Sequence, residues 1–222
     1  AHLRDLKLYH RALTQRNAIL AKSSSLTPDK IEVWDEQLAE AGSRVISRRL
    51  EFIDKIKPQL KKIYRLTSGL DQDIQIHYKS SIETQGNLEQ AFKDLLRQKF
   101  EIDKKRFHTT AGPHRDQISF SIEGKDASVY ASQGEAKNLA LSLKTSEIEM
   151  IKQFLGRIPI LLLDDVTSEL DGQRKKFLFK LLEDFPGQIF ITTTDIKEIL
   201  YKGDIRVFHI KDRTVVHKQI QT

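Results

Sequence analysis

Cysteine is absent from the chain, so neither a disulfide bond nor a thiolate metal site is available to it. This absence favours a reducing compartment, and we expect a cytoplasmic protein. A long apolar run is also lacking, because the longest aliphatic stretch, residues 158–163, is short and contains Pro159. No charged-then-apolar signal pattern begins the sequence. These absences predict a soluble protein that does not act in a membrane.

Positive charge is unevenly distributed along the 222 residues, whose formal net charge is +6. Residues 1–110 hold 21 Lys+Arg and 15 Asp+Glu, which leaves 16 of each sign for residues 111–222. A basic first half favours a polyanionic partner such as nucleic acid. The alternative is an ordinary solvated helical surface, since many such surfaces are equally basic.

Apolar spacing predicts a mainly helical first half. Steps of three and four predict amphipathic helices over residues 3–20, from Thr27 onward, and over 87–107. Thr27 and Pro28 suit the first turn of the second helix, whereas Pro58 is expected to kink or end it. The alternating "IQIHY" predicts a short strand between the second and third helices.

Strands and helices alternate in the second half. Helices are predicted over 132–155 and 170–185, and the predicted strands are "ISFSI", "SVY", "IPILLLDD", "QIFITTT", "IRVFHI" and "TVVH". The unbroken aliphatic strand is typical of a parallel sheet covered on both faces. We therefore predict an α/β fold with a mainly parallel sheet in residues 109–222 and a mainly helical domain in residues 1–108.

Two adjacent carboxylates, Asp164 and Asp165, end the aliphatic strand. The carboxyl ends of strands in open α/β sheets are where ligands bind, and Mg²⁺ with attached phosphates would stabilise the pair. The pattern resembles a Walker B element, in which Asp164 would hold Mg²⁺ and Asp165 would polarise the attacking water. The alternative is that both acids simply end a strand in water.

The stretch "SQGE", residues 132–135, opens the predicted helix 132–155. Ser132 and Glu135 have the spacing of a capping box. Gly134 costs a helix about 1 kcal/mol relative to alanine, and a capping box does not need it. We therefore expect close approach of a phosphate to this helix start, with a plain capping box as the alternative.

Two further polar segments follow strands. In "TSELD", Ser168 and Asp171 come after the acidic pair, and Asp171 equally suits the cap of the next helix. In "ITTTD", Thr193, Thr194 and Asp195 are expected at the same sheet edge as Asp164. The order of all four segments indicates one nucleotide site.

The stretches "YASQGEAKNLALSLKTSEIEMIK", "IPILLLDDVTSELD" and "ITTTD" resemble the carboxyl-terminal part of the RecF family, bacterial DNA replication and repair ATPases of the ABC and SMC-like class. The stretches "YHRALTQRNAIL", "WDEQLAEAGSRVISRR" and "TTAGPHRDQISFSI" also resemble that family. The resemblance implies part of an ABC-type (P-loop NTPase) ATPase head with an α-helical arm. It implies these site residues: signature motif Ser132, Gln133, Gly134 and Glu135; Walker B pair Asp164 and Asp165; D-loop Ser168, Glu169 and Asp171; switch position Thr194.

The resemblance also implies cofactors and partners. ATP and Mg²⁺ would be bound, and the signature motif of one subunit would cover the ATP of the other, so that ATP closes a homodimer. The implied partners are double-stranded or gapped DNA and the repair proteins RecR and RecO, in recombinational repair that helps load a recombinase.

The sequence departs from the family pattern in one large respect. A phosphate loop of the form G-x-x-x-x-G-K-[ST] is missing, since the nearest match, "GKD" at residues 124–126, lacks the upstream glycine and the hydroxyl. We therefore expect a fragment that carries the arm and part of the head and is inactive alone. Ala136 and Lys137 also replace the Gln and Arg more usual in the family.

DNA contact is predicted separately from a basic stripe on the second helix: Arg44, Arg48, Lys55 and Lys62. The alternative is a solvated helical face. His114 and Arg115 of "GPHRD" are expected either to touch nucleotide or DNA or to lock the adjoining strand. Two other functions stay open for the whole chain: a non-catalytic scaffold that binds partners or DNA, and a Mg²⁺-dependent nuclease or phosphotransferase that uses the Asp pair.

Overall fold

The computed structural model describes residues 2–22, 26–156, 158–167 and 170–219. The chain forms two compact units, one of residues 1–61 with 72–131 and the other of 62–71 with 132–222. The domain boundary after residue 108 stays a prediction. The first unit nevertheless extends to residue 131, because the strand that follows "GPHRD" pairs with the strand "IQIHY".

Three long helices dominate the first half, as the apolar spacing predicts: α1 is His2–Lys22, α2 is Glu32–Ser68 and α3 is Leu88–Arg106. A one-turn 3₁₀ helix, Pro28–Lys30, precedes α2. Asn87 caps α3 by accepting a hydrogen bond from the Gln90 amide at 3.1 Å. The core of the first unit joins all three helices through Tyr9, Ala12, Leu38, Ala39, Ala41, Val45, Ile46, Ile82, Phe92 and Leu96.

Helix α2 passes through Pro58 and does not end there, so of the two expected effects of this proline only a kink stays a prediction. Proline removes one backbone hydrogen bond and crowds the preceding turn. Apolar side chains of α2 are buried both before and after Pro58, namely Ile53, Ile56, Leu60 and Ile63. Their burial favours continuation of the helix more strongly than the proline opposes it.

The first unit contains an antiparallel sheet. Strand β1 (Ile74–Lys79) pairs with β2 (Gln117–Ile122), which pairs with β3 (Lys125–Asp126). The predicted strand "SVY" is wrong, because Ala127–Tyr130 forms the short helix α4. The side chain of Asp126 accepts a hydrogen bond from the Ser128 amide at 2.9 Å, which favours a helical turn over continued pairing.

The second unit alternates helices and strands. Helix α5 is Gln133–Leu155, β4 is Leu161–Asp164, α6 is Gly172–Glu183 and β5 is Ile189–Thr192, followed by the hairpin of β6 (Arg206–Lys211) and β7 (Thr214–Gln219). Strands β4 and β5 pair in parallel and β6 and β7 antiparallel. The mixed α/β fold with a parallel sheet is thus confirmed, and β4–β5 is the parallel pair among the described residues.

The β4–β5 sheet is covered on one face. Leu161 packs with Leu141 of α5 and with Leu178, Phe179 and Leu182 of α6. The alternate side chains face away from these helices, and Leu162 is 76% exposed and Phe190 48% exposed. The expectation that β4 is buried on both faces is therefore wrong for the described residues. None of the described helices combines the length and hydrophobicity that spanning a membrane requires.

Candidate functional site

The acidic end of β4 is fixed by a threonine of β5. Parallel pairing places Asp164 opposite Thr192. The Thr192 hydroxyl donates to Oδ1 of Asp164 at 2.6 Å and accepts from the backbone amide of Asp165 at 3.0 Å. One hydroxyl thus holds both acidic residues, and both remain exposed.

Asp165 has a left-handed backbone conformation, with φ 45°. Non-glycine residues rarely adopt this region, although Asp and Asn tolerate it better than most. Strained conformations of this kind cost about 1–3 kcal/mol and cluster at functional sites. The geometry therefore singles out Asp165 within the predicted pair.

A polar network follows the acidic pair. Thr167 is fully buried, and its hydroxyl lies 3.4 Å from that of Thr193. Hydrogen bonds from Lys175 and from Thr167 hold the pKa of Glu198 below its ordinary value, and Nζ of Lys175 donates at 2.8 Å. The predicted switch residue Thr194 is exposed, whereas the hydroxyl of Thr193 donates to the Asp195 carbonyl oxygen at 3.0 Å and accepts from the Asp195 amide at 3.2 Å.

The predicted signature segment forms a complete capping box. The Glu135 amide donates to the Ser132 hydroxyl at 3.2 Å, and a Glu135 carboxylate oxygen accepts from the Ser132 amide at 2.9 Å and from its hydroxyl at 2.8 Å. The next two amides, of Gln133 and Gly134, have no acceptor among the described residues. They lie in the first turn, where no intrahelical partner exists and the helix dipole is positive.

Gly134 is not required by the folding of its own chain. A methyl group built on it would lie 3.4 Å from Nη2 of Arg174, an ordinary van der Waals distance. Its φ does not lie in the left-handed region that favours glycine. The absence of a side chain therefore leaves the start of α5 accessible, and the expected close approach of a phosphate stays a prediction.

The predicted D-loop ends at a helix cap. Asp171 accepts from the Arg174 amide at 3.0 Å, and its carboxylate also pairs with the Arg174 guanidinium. The hydrogen bond from the Arg174 amide is the largest influence that holds the pKa of Asp171 below its ordinary value. The expected capping role of Asp171 is confirmed. Ser168 and Glu169 lie outside the described residues.

Thr192 and Arg174 are the site residues that the sequence analysis missed. Thr192 is the last residue of β5, and only the register of the parallel pair identifies it as the neighbour of Asp164. Arg174 is three residues past the cap Asp171, a spacing at which helix side chains meet. This spacing is the feature of the sequence from which the contact between Arg174 and Asp171 could have been predicted.

The basic stripe of α2 is largely paired with acids. Arg44 and Arg48 both contact Asp5 of α1, with Nε at 3.1 and 2.9 Å from its carboxylate oxygens. Lys55 pairs with Glu51, whereas Lys62 is exposed and pairs with no acid among the described residues. The stripe as a DNA contact remains a prediction, with less unpaired charge than the sequence indicates.

His114 locks the polypeptide in the first unit. Its Nε2 lies 3.2 Å from the Thr109 carbonyl oxygen, which can only accept, so Nε2 carries the proton and Nδ1 accepts from the Tyr9 hydroxyl at 2.5 Å. Burial lowers the pKa of His114 and raises that of Tyr9. These contacts support the locking role for His114. Arg115 is exposed.

Comparison with known proteins identifies close similarity to RecF proteins. No protein-family model matches the sequence. The chain is 39% identical over 217 residues to the DNA replication and repair protein RecF of Streptococcus equi subsp. zooepidemicus, covering 96% of this chain and 58% of that protein. It is 38% identical over 224 residues to RecF of Streptococcus thermophilus, covering 99% of this chain and 60% of the relative. The chain thus spans somewhat over half the length of these curated relatives.

Solved structures give the same result. A structure described as the recombination mediator protein RecF-ATP in the RecFOR pathway matches with a TM-score of 0.85 and 34% identity, over 98% of this chain and 58% of that one. A second, described as RecF-ATPrS in the same pathway, matches with a TM-score of 0.84 and 34% identity. The predicted resemblance to the RecF family is confirmed.

Proposed function

We propose, on the premise that this chain is a RecF homologue over nearly its whole length, that it supplies two half-sites of an ATPase head that dimerises on ATP. The first half-site is the acidic end of β4. The second is the start of α5, which would cover the nucleotide of the other subunit. The proposal assigns this head to DNA repair and recombination in the cytoplasm.

The start of α5 is the observation that carries the proposal. Its first two amides are unpaired within the described residues, and Gly134 leaves them open although an alanine would fit. A helix start with free amides and a positive dipole suits the terminal phosphate of a nucleotide. The RecF structures that match this chain are described as complexes with ATP and ATPrS, which supports a nucleotide as the ligand.

The acidic end of β4 suits Mg²⁺. Carboxylate oxygens are hard ligands of the kind this ion takes, and Thr192 holds the oxygen Oδ1 of Asp164 in place. No three acidic or histidine side chains gather into a metal site within the described ranges, so phosphate oxygens and water would complete the coordination. When bound, Mg²⁺ would neutralise charge on the phosphates. Asp164 would hold it and Asp165 would orient and polarise the attacking water.

The proposed partners follow from the relatives. The matched structures are described as belonging to the RecFOR pathway, which supports RecR-like and RecO-like proteins and DNA as partners of the whole protein. In the proposal, ATP closes the homodimer on double-stranded or gapped DNA. This chain alone is expected to bind ATP weakly and to hydrolyse none.

The test joins this chain to the phosphate-loop segment of a RecF relative and measures ATP hydrolysis and dimerisation with and without DNA. Asp165→Asn is expected to slow hydrolysis by about 10²–10⁴-fold while ATP still closes the dimer. Asn tolerates the left-handed backbone, so the change removes charge without a new strain. Asp212 has the same conformation, with φ 48°, in the β6–β7 turn, and Asp212→Asn is the matched control.

Three results separate the proposal from its alternatives. Loss of turnover in Asp165→Asn but not in Asp212→Asn supports it. DNA binding without any effect of ATP would instead indicate a scaffold. Nucleic acid cleavage that needs Asp164 and Asp165 but not ATP would indicate a nuclease.

A further inference from the structure

We propose that Arg174 is a positioning residue that clamps the start of α5 to the cap of α6, so that the signature segment and the end of the D-loop reach the nucleotide as one rigid surface. This inference rests on the proposed function, since it states how the second half-site is held in shape. Arg174 itself is not placed in contact with the nucleotide.

The guanidinium of Arg174 uses each of its nitrogens for a different partner. Nη2 donates to the carbonyl oxygen of Gly134 at 2.9 Å, Nε donates to Oδ1 of Asn138 at 2.6 Å, and Nη1 pairs with the carboxylate of Asp171. The first two contacts lie one turn apart on α5, and the third is the N-cap of α6. A single side chain thus fixes the start of α5 relative to α6, both in its position along the α5 axis and in its rotation about that axis.

The clamp is shielded from water on the α5 side. The Arg174 side chain is 14% exposed, and Asn138 is buried. A hydrogen bond that is charged and sheltered holds its geometry better than one on an open surface. The contact to Gly134 also explains why the clamp matters, because it lies on the residue whose amide the proposed function leaves open for phosphate.

A lysine cannot replace this arginine. An ammonium group is a point charge on a flexible stem, whereas the planar guanidinium presents its donors in a fixed fork. Arg174→Lys is expected to keep the pairing with Asp171 but to lose at least one of the two contacts to α5. Asn138→Ala removes one anchor on α5 and leaves Arg174 and Asp171 intact. Both variants are expected to weaken the clamp from opposite ends.

The first experiment needs no nucleotide. Hydrogen exchange is measured at the hydrogen-bonded amides of residues 135–139 in this chain, with Lys180→Ala, an exposed cation on the same helix, as the matched control. Faster exchange at the α5 start in Arg174→Lys and Asn138→Ala, with no change in Lys180→Ala, supports the clamp. Unchanged exchange in both variants overturns it.

The second experiment measures ATP-dependent dimerisation of the same variants joined to the phosphate-loop segment. Arg174→Lys is expected to weaken the ATP-bound dimer by about 5- to 150-fold, the usual range of coupling between sites. Binding of ATP to the monomer should stay the same, since the α5 start serves the partner's nucleotide. A merely structural role would lower thermal stability without separating these two affinities, and that result would overturn the inference.

The two proposals fail in different ways. If the unaltered protein does not dimerise with ATP, the proposed function fails, while the exchange data still decide whether the clamp exists. If the unaltered protein dimerises and Arg174→Lys dimerises equally well, the inference fails and the proposed function stands.

Discussion

The first compact unit buries a charged cluster around Arg16, whereas the second leaves the acidic pair at the end of β4 exposed. In the first unit, Arg16 is fully buried and contacts Asp35 at 2.5 Å, Asp103 at 2.6 Å and Thr109 at 2.9 Å. In the second, Asp164 and Asp165 are exposed at the end of a strand. Buried pairs of this kind are costly to break, while exposed acids cost little to remove. In the first unit the buried charges stabilise the fold, and the exposure of the acidic pair in the second unit agrees with the binding role proposed for it.

The largest expected effect comes from breaking the buried pair. Asp103→Ala leaves the Arg16 guanidinium charged and partly unpaired in the core, and should lower the free energy of unfolding of the first unit by about 3–5 kcal/mol. Urea unfolding followed by Trp34 fluorescence measures it, because Trp34 is the one tryptophan and packs against the first core. Arg97→Ala breaks an exposed pair with Glu32 and should cost at most about 1 kcal/mol. Equal losses in the two variants would remove the contrast between buried and exposed charge.

Two glycines, Gly112 in the first unit and Gly134 in the second, test the same comparison between the two units. A methyl group on Gly112, whose φ is 127°, would lie 2.5 Å from the Tyr9 hydroxyl oxygen, so Gly112→Ala should destabilise the first unit by about 1–3 kcal/mol. Gly134→Ala should leave the second unit as stable or more stable, by up to about 1 kcal/mol, yet weaken ATP-dependent dimerisation. Urea unfolding by Trp34 fluorescence and by circular dichroism checks both. Destabilisation by Gly134→Ala would show that its own chain needs the glycine.

The stability of the first unit should depend on pH through the protonation of His114. Burial lowers its pKa in the folded state, so the unfolded state binds the proton first as the pH falls below about 6.5. The stability that neutral His114 provides is present above that pH and is lost below it, by at most about 1.4 kcal/mol per pH unit. Urea midpoints from pH 7.5 to 5 measure the loss, which His114→Gln should reduce and the exposed His2→Gln should not. An identical pH profile in His114→Gln would contradict the locking role.

The smallest expected effect concerns the basic stripe. Lys62 is the exposed member whose charge is least offset, so Lys62→Gln should reduce the salt slope of DNA affinity by about one. Lys57 is paired with Asp54, and Lys57→Gln is the control, expected to leave the slope nearly unchanged. Affinity titrations from 50 to 200 mM salt measure both. An unchanged slope in Lys62→Gln would favour the solvated helical face.

Local patterns predicted the elements well, and tertiary contacts decided what they did not predict. The period of the apolar residues located α1 and α3, and the capping-box spacing of Ser132 and Glu135 located the start of α5. The continuation of α2 through Pro58 could not be predicted from the local sequence, because it depends on the burial of apolar side chains on both sides of the proline. Thr192 was missed for a similar reason: its contact with Asp164 depends on strand register, which a single sequence does not specify. The clamp by Arg174 depends likewise on where α5 and α6 meet.

The open face of the β4–β5 sheet has a practical consequence. This face exposes a hydrophobic patch formed by Ile160, Leu162 and Phe190. Exposed hydrophobic patches promote self-association. Purified alone, the chain should bind hydrophobic dyes and form concentration-dependent aggregates. Replacing Leu162 with serine should reduce this aggregation at the protein concentrations that spectroscopy requires.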